Sequence, residues 1–316
     1  MDRKYVTETV LADTAGIARG VDILRAGGLV AVPTETVYGL AARADSEEAV
    51  GRIFEAKGRP AFNPLIVHVL DIAAAEAIAE IDERARMLAD RFWPGPLTMV
   101  LSRRPDAQLA PQIAAGLPTV AVRSPAHPAM RAILEGLGKA LAAPSANASE
   151  TVSPTSAAHV LATLDGRIDA VVDGGPTERG LESTIIALRE DGRWSLLREG
   201  PITRQDLDSV LGEETPSNGA IEAPGQLARH YAPGKPVRLN ARHAEEGEFL
   251  IGFGSVEYDV TLSESGDINE AARNLYACLH LAREADHPRI AVAPIPEEGV
   301  GKAINDRLRR AAAPGS

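Results

Sequence analysis

Residues 32–69, VPTETVYGLAARADSEEAVGRIFEAKGRPAFNPLIVHV, constrain the chain more than any other stretch. An apolar run at 29–32 is too short for a helix and reads as a strand. A polar turn follows it. Asp45 and Glu48 then stand in a capping-box-like spacing, ahead of Val50, Ile53 and Phe54 at helical intervals. KGRP at 57–60 stops that helix, and a second apolar strand leads to Val69. The core must come from the strands and one helix face. Thr34, Glu35, Thr36, Asn63 and His68 crowd where the strands begin or end.

The same alternation continues. An amphipathic helix at 14–26 carries Ile17, Val21 and Leu24 on one face and ends at Gly27-Gly28. Helices are predicted at 72–80, 82–92 and 128–137, and strands at 93–101 (after a turn), 119–123, 140–144, 169–175, 182–188 and 194–200. Some connections are too short for a helical crossover, so the pattern predicts an α/β fold with a mixed sheet. Residues 212–236 are rich in Pro, Gly and polar groups and are expected to form a linker. A smaller α/β unit follows, with strands at 237–240, 249–253 and 289–294 and helices near 268–285 and 300–312. The expected organisation is a domain at 1–211, a linker at 212–236 and a second domain at 237–316.

The formal net charge is -11, which argues against a general phosphate-backbone binder. Residues 241–300 hold twelve acidic and four basic side chains, so an anionic ligand is expected in the first domain. The single cysteine, Cys278, permits no disulfide or cysteine-based zinc site within the chain. The first residues lack the apolar core of a signal peptide, and no apolar run nears the ~18 residues of a membrane span. A cytoplasmic setting is expected.

Several polar groups admit two readings. KGRP is a common helix stop, yet Lys57 and Arg59 also suit phosphate oxygens, as a point charge and a planar fork. Pro144-Ser145-Ala146-Asn147 makes an ordinary turn, but it also presents a hydroxyl and an amide from one loop. Arg123 and Arg198 both end apolar strands, where α/β sheets collect ligands and where surface ion pairs also form. Tyr38 reads as packing, and His127, His159 and His243 as surface or core residues. There is no GxxxxGK[ST] loop, and GFGS at 252–255 is too little for a dinucleotide fingerprint.

Taken together, PTETVYGL, KGRP, APSAN and HYAP closely resemble the threonylcarbamoyl-AMP synthase family. The match is to its two-domain form, a YrdC-like domain followed by a smaller one. The likeness is strongest over 27–200 and recurs in ARHYAPGKP at 228–236. It implies a twisted open mixed sheet with flanking helices, plus a smaller Rossmann-like C-terminal domain. It also implies condensation of L-threonine, bicarbonate and ATP into threonylcarbamoyl-adenylate, with release of pyrophosphate. Downstream tRNA-modification proteins would carry the product to the adenosine beside the anticodon, so tRNA is met only indirectly. No membrane partner is expected.

By the same resemblance, Lys57 and Arg59 are catalytic. ATP is held by Lys57, Arg59, Asn63, Thr119, Ser145, Asn147, Ser153, Arg198, His230 and Tyr231, with Mg²⁺ arriving on ATP. L-Threonine meets Thr36, His68, Arg123, Ala143 and Ser183, with Thr184 a further matching position. The segment ending in HYAP would close as a lid, although Ala223-Pro224-Gly225-Gln226 departs from the family's more usual start. Two rivals remain at this stage. One is a non-catalytic RNA-binding module of the same fold. The other is a carbamoyl-transfer enzyme of hydrogenase maturation, whose cysteine-rich zinc fingers one cysteine cannot supply.

Overall fold

The strand β2 (Val30–Pro33) is buried at every position, which fixes its place inside a sheet covered on both faces. The computed structural model describes residues 6–215, 223 and 230–313. Its large sheet has ten strands: β1 (Glu8–Leu11), β2, β3 (Tyr38–Arg43), β4 (Ile66–His68), β5 (Leu97–Ser102), β6 (Thr119–Arg123), β7 (Leu141–Ala142), β8 (Ala170–Asp173), β9 (Thr184–Leu188) and β10 (Trp194–Arg198). Their order is β1-β8-β2-β3-β7-β4-β6-β5-β9-β10, with parallel and antiparallel pairs.

Alternate residues of β2 serve two cores. Val30 and Val32 pack with Val21 and Leu24 of α1 (Thr14–Arg25). Ala31 faces the other way, in a core with Val50 and Ile53 of α2 (Glu47–Lys57). That second core also takes Ala75 of α3 (Ile72–Glu76) and Leu88 of α4 (Glu83–Phe92). The first takes Met130, Ile133 and Leu134 of α5 (Pro128–Leu137). Two further helices, α6 (Ala157–Leu164) and α7 (Arg204–Leu211), add Val160 and Leu207 to the α2 side.

The smaller unit has a four-stranded, all-parallel sheet in the order β11-β14-β12-β13, formed by β11 (Val237–Arg238), β12 (Glu248–Gly252), β13 (Val260–Thr261) and β14 (Arg289–Val292). Its helices are α8 (Ile268–Glu284) and α9 (Gly301–Ala311). Their core is continuous with Val37, Val152 and Leu181 of the larger unit, so the two units share buried apolar surface. No described helix is long and apolar enough to cross a membrane.

Several expectations need adjustment. β3 stands between the polar turn and α2, where a turn alone was expected. The α2 cap is Ser46, whose side chain accepts from the Ala49 amide, while Asp45 pairs with Arg43. The 72–80 helix is limited to α3, and the 140–144 strand shrinks to β7. The strands β1 and β13 and the helices α6 and α7 were not expected. α7 packs on the large sheet, and Trp194 donates to the Gly212 carbonyl. Most of the expected linker lies outside the described residues.

Candidate active site

The geometry begins where α2 stops. Gly58 takes a left-handed conformation (φ 61°), which ends the helix without a Cβ penalty. Lys57, one residue earlier, is buried and donates from Nζ to the carbonyls of Ser145 (2.6 Å) and Asn147 (2.5 Å). The Ser149 amide donates back to the Lys57 carbonyl. A helix stop and an inward-reaching lysine therefore coexist, and KGRP and APSAN are held together although some ninety positions separate them in sequence.

Arg59 donates to the carbonyls of Asn63 (3.1 Å) and Pro64 (2.8 Å). Among the described residues neither Lys57 nor Arg59 meets a carboxylate. Burial pushes the Lys57 amine well below its ordinary range, with Arg59 adding to the effect. Arg59 is lowered to about 9, by burial and by the charge of Arg198. Asn63 Oδ1, Asn147 Oδ1 and His230 Nδ1 are buried without a hydrogen-bond partner, and all three residues line the cavity beside these cations. A buried lysine and a half-buried arginine without counter-ions suit an anion, while the two amide oxygens are acceptors and call for donors on what binds beside it.

A second cavity adjoins the first and shares Arg59, Ser145 and His230 with it. Sheet register explains its walls. His68 and Arg123 are partners on the parallel strands β4 and β6. β9 begins and β10 ends on that same edge, which brings in Ser183 and Arg198. Gly39 permits the APSAN loop to approach β3, since a Cβ there would lie 3.3 Å from that of Ala143.

Arg123 spends three of its five N–H groups inside the protein. Nε donates to the Gly95 carbonyl (3.1 Å), Nη1 to Thr36 Oγ1 (3.0 Å) and Nη2 to Glu35 Oε1 (2.6 Å). One N–H on each Nη remains. Thr34 donates its only hydroxyl proton to the Val37 carbonyl, so in the 2.8 Å contact between the two threonines Thr36 is the donor. Burial would raise the Glu35 carboxyl, but the charge and hydrogen bond of Arg123 bring it below its usual range. His68 is lowered to about 3, mainly by burial and then by Arg123, so its ring is neutral. Its Nδ1 has no partner.

The expected residues thus fall into groups. Lys57, Arg59, Asn63, Ser145, Asn147 and His230 line one cavity. Thr36, His68, Arg123, Ala143, Ser183, Arg198 and Tyr231 line the other. Ser153 is buried just behind, donating to Glu182 (2.5 Å). Thr119 opens β6 at the end away from Arg123, ~13 Å along the strand, and lines neither cavity. Thr184 turns into the fold, where its hydroxyl donates to the Ile202 carbonyl and accepts from the Ile202 amide. Tyr38 is structural, its hydroxyl donating to the Gly175 carbonyl. Within the ARHYAP segment only His230 onward is described. Glu182 was missed. It lines the cavity and is paired with Arg307, 125 positions away, a distance that leaves no local trace in sequence.

A family model described as "Telomere recombination" matches residues 22–200, and one described as "Threonylcarbamoyl-AMP synthase, C-terminal domain" matches residues 202–313. The threonylcarbamoyl-AMP synthase of Bacillus subtilis is 39% identical, covering 97% of this chain and 96% of its own. The chain belongs to the threonylcarbamoyl-AMP synthase family. A second synthase, from Pyrococcus abyssi, is 43% identical with 91% of each chain covered. The fold agrees with that of a synthase-family crystal structure, P. abyssi Sua5 complexed with L-threonine. That likeness has a TM-score of 0.88 at 38% identity, over 98% of this chain and 97% of that one. The family thus places L-threonine in a relative whose architecture this chain shares nearly end to end.

Proposed function

We propose that the chain condenses L-threonine, bicarbonate and ATP into L-threonylcarbamoyl-adenylate and releases pyrophosphate. One observation carries the reading: Lys57, Arg59, Ser145 and Asn147 converge on one anion-ready cavity that opens into the pocket of Thr36, His68 and Arg123. In this reading the triphosphate lies along Lys57, Arg59 and Arg198. The two remaining N–H groups of Arg123 take the amino-acid carboxylate as a planar pair. Thr36 and neutral His68 shape the pocket around the threonine side chain, and His230 and Tyr231 cover it.

The amine of threonine attacks the carbon of bicarbonate, and loss of water leaves a carbamate. A carbamate oxygen then attacks the α-phosphorus in line, and the bond to pyrophosphate breaks. Negative charge gathers on phosphate oxygens in both the bound state and the transition state. Fixed cations in a recessed cavity stabilise it without reorganising, so positioning and electrostatics suffice and no covalent enzyme intermediate is required. The described residues hold no cluster of three or more His, Cys, Asp or Glu suited to a metal ion, and Glu35 and Glu182 are both engaged by arginines. Any Mg²⁺ is therefore proposed to ride on the oxygens of ATP, where it would offset their charge. The product would pass to tRNA-modification partners in the cytoplasm.

An RNA-backbone module calls for an exposed basic face, whereas Lys57, Arg123 and Arg198 are 3%, 4% and 7% exposed. The decisive test is pyrophosphate release with threonine and bicarbonate omitted in turn. Release is expected only with both present, and release indifferent to threonine would end the assignment.

A further inference from the structure

We infer that Arg307, contributed by the C-terminal α9, is a positioning residue for ATP: it neutralises Glu182 in the cavity wall, so that a carboxylate can stand there without repelling the polyphosphate. The inference rests on the nucleotide reading above and adds a part that the smaller unit plays in it.

Glu182 lines the cavity with Ser183 and Arg198 and is buried. An uncompensated carboxylate there would oppose the anion that the neighbouring cations attract. Its partners come mostly from the other unit. Arg307 Nε donates to Oε2 at 3.2 Å, and the Tyr276 hydroxyl of α8 donates to the same oxygen at 2.7 Å. Ser153 donates to Oε1. Arg307 is fully buried, a costly placement for a guanidinium unless a charge requires it. Nη1 meets Asp306, and the guanidinium carbon lies 5.6 Å from the centroid of the Tyr231 ring. Tyr231 in turn stacks on Tyr276 and touches His230. The arginine that cancels Glu182 thus also seats the residues that cover the site.

The alternative is that Arg307 merely packs the two units together, and charge separates the cases. Burial would raise the Glu182 carboxyl, and Arg307, then Arg198, bring it down to about 2. Without Arg307 the carboxyl regains a higher value, and protonating it removes the repulsion. The groups facing it would then be Arg198, Tyr231, Tyr276, Ser153 and neutral His230.

The experiment measures ATP and threonine KM by pyrophosphate release in the full chain for wild type, Arg307→Met, Glu182→Gln and the double variant. Arg307→Met is expected to raise the ATP KM about tenfold or more, with a smaller rise in threonine KM, and to recover as pH falls. Adding Glu182→Gln is expected to return the ATP KM to within about threefold of wild type, because the buried charge is then gone. A double variant that folds and whose ATP KM is no better than that of folded Arg307→Met would overturn the inference. If Arg307→Met does not fold, Arg307→Lys and the double variant decide: near-normal ATP KM in both supports the charge role, and a raised KM in both refutes it. A wild-type chain without threonine-dependent release would instead fail the function reading, a different result.

Discussion

Two sets of cations at the site behave differently. Lys57 and Arg59 are surrounded by carbonyl oxygens, whereas Arg123 and Arg307 each face a carboxylate, Glu35 and Glu182. A cation with only carbonyl partners keeps most of its attraction for an anion, at a cost in folding stability. A cation paired to a carboxylate has spent much of that attraction on holding a position. The first set is therefore open to polyphosphate, and the second fixes the walls around it, with only the two remaining N–H groups of Arg123 left for a carboxylate. Changes to the first set should cost activity and spare the fold, and changes to the second should cost both.

Arg59→Ala gives the largest expected effect. It removes a fork that meets only main-chain carbonyls, so pyrophosphate release should fall below detection, by at least about a thousandfold. Thermal unfolding should shift little, or upward, because a half-buried cation without a counter-charge is gone. Normal turnover by a well-folded variant would defeat the assignment.

Glu35→Gln probes the paired set. It keeps the shape and leaves the Arg123 charge uncompensated in a buried site, at a cost of roughly 3 kcal/mol in unfolding free energy. Threonine KM should rise as Arg123 loses its orientation, with ATP KM changing less. In the wild type the Glu35 carboxyl is lowered from 4.5. Its contribution is thus fully present above that value and is lost as pH falls through the lowered one. The stability gap between variant and wild type should narrow over that acidic range in denaturant titrations.

The unpaired set has the opposite sign with pH. Lys57 lies below its ordinary 10.5 and Arg59 lies at about 9 against 12.5. Between folded and unfolded values the unfolded chain binds more protons, so the ligand-free protein should gain stability as pH rises through that range. Bound ATP supplies the missing counter-charge and favours the protonated forms. Calorimetry near pH 9 in buffers of different ionisation enthalpy should therefore show proton uptake of up to about one per ATP. Heats indifferent to buffer would mean that both groups stay charged without nucleotide.

Much of this contrast was legible in sequence, and the part that was not has a physical reason. α5 was readable because Pro128 opens it and Gly138 closes it in the left-handed region. β6 and α8 announced themselves by apolar period. β3 did not, since YGLAAR lacks the β-branched residues that mark strands. β1 was hidden because ETVL has two polar residues and then two apolar ones instead of an alternation, and none of the four is buried. Ser46 and Asp45 are both capable caps, and only the Arg43 side chain decides which is free for the task. The cations and the SxN pair could be named from local motifs. Their carboxylate partners could not, because Glu35 meets Arg123, and Glu182 meets Arg307, only after the sheet and the two units assemble.

The adjacent residues Ser183 and Thr184 give the smallest and sharpest form of the comparison. Both are buried hydroxyls at the start of β9, and strand alternation sends them to opposite sides. Ser183 accepts from Arg198 Nη2 at 3.0 Å and shares a 2.7 Å hydrogen bond with Thr98 inside the cavity wall. Thr184 bridges the Ile202 amide and carbonyl instead, clipping the chain after β10 onto the sheet. Thr184→Val keeps the volume and leaves both Ile202 groups unsatisfied, so it should cost about 1–2 kcal/mol in unfolding free energy with ATP KM unchanged. Ser183→Ala should do the reverse, raising ATP KM several-fold as Arg198 loses a fixed acceptor, with a smaller stability loss. Equal kinetic damage from both would mean that the wall of the cavity and the scaffold behind it cannot be separated at this strand.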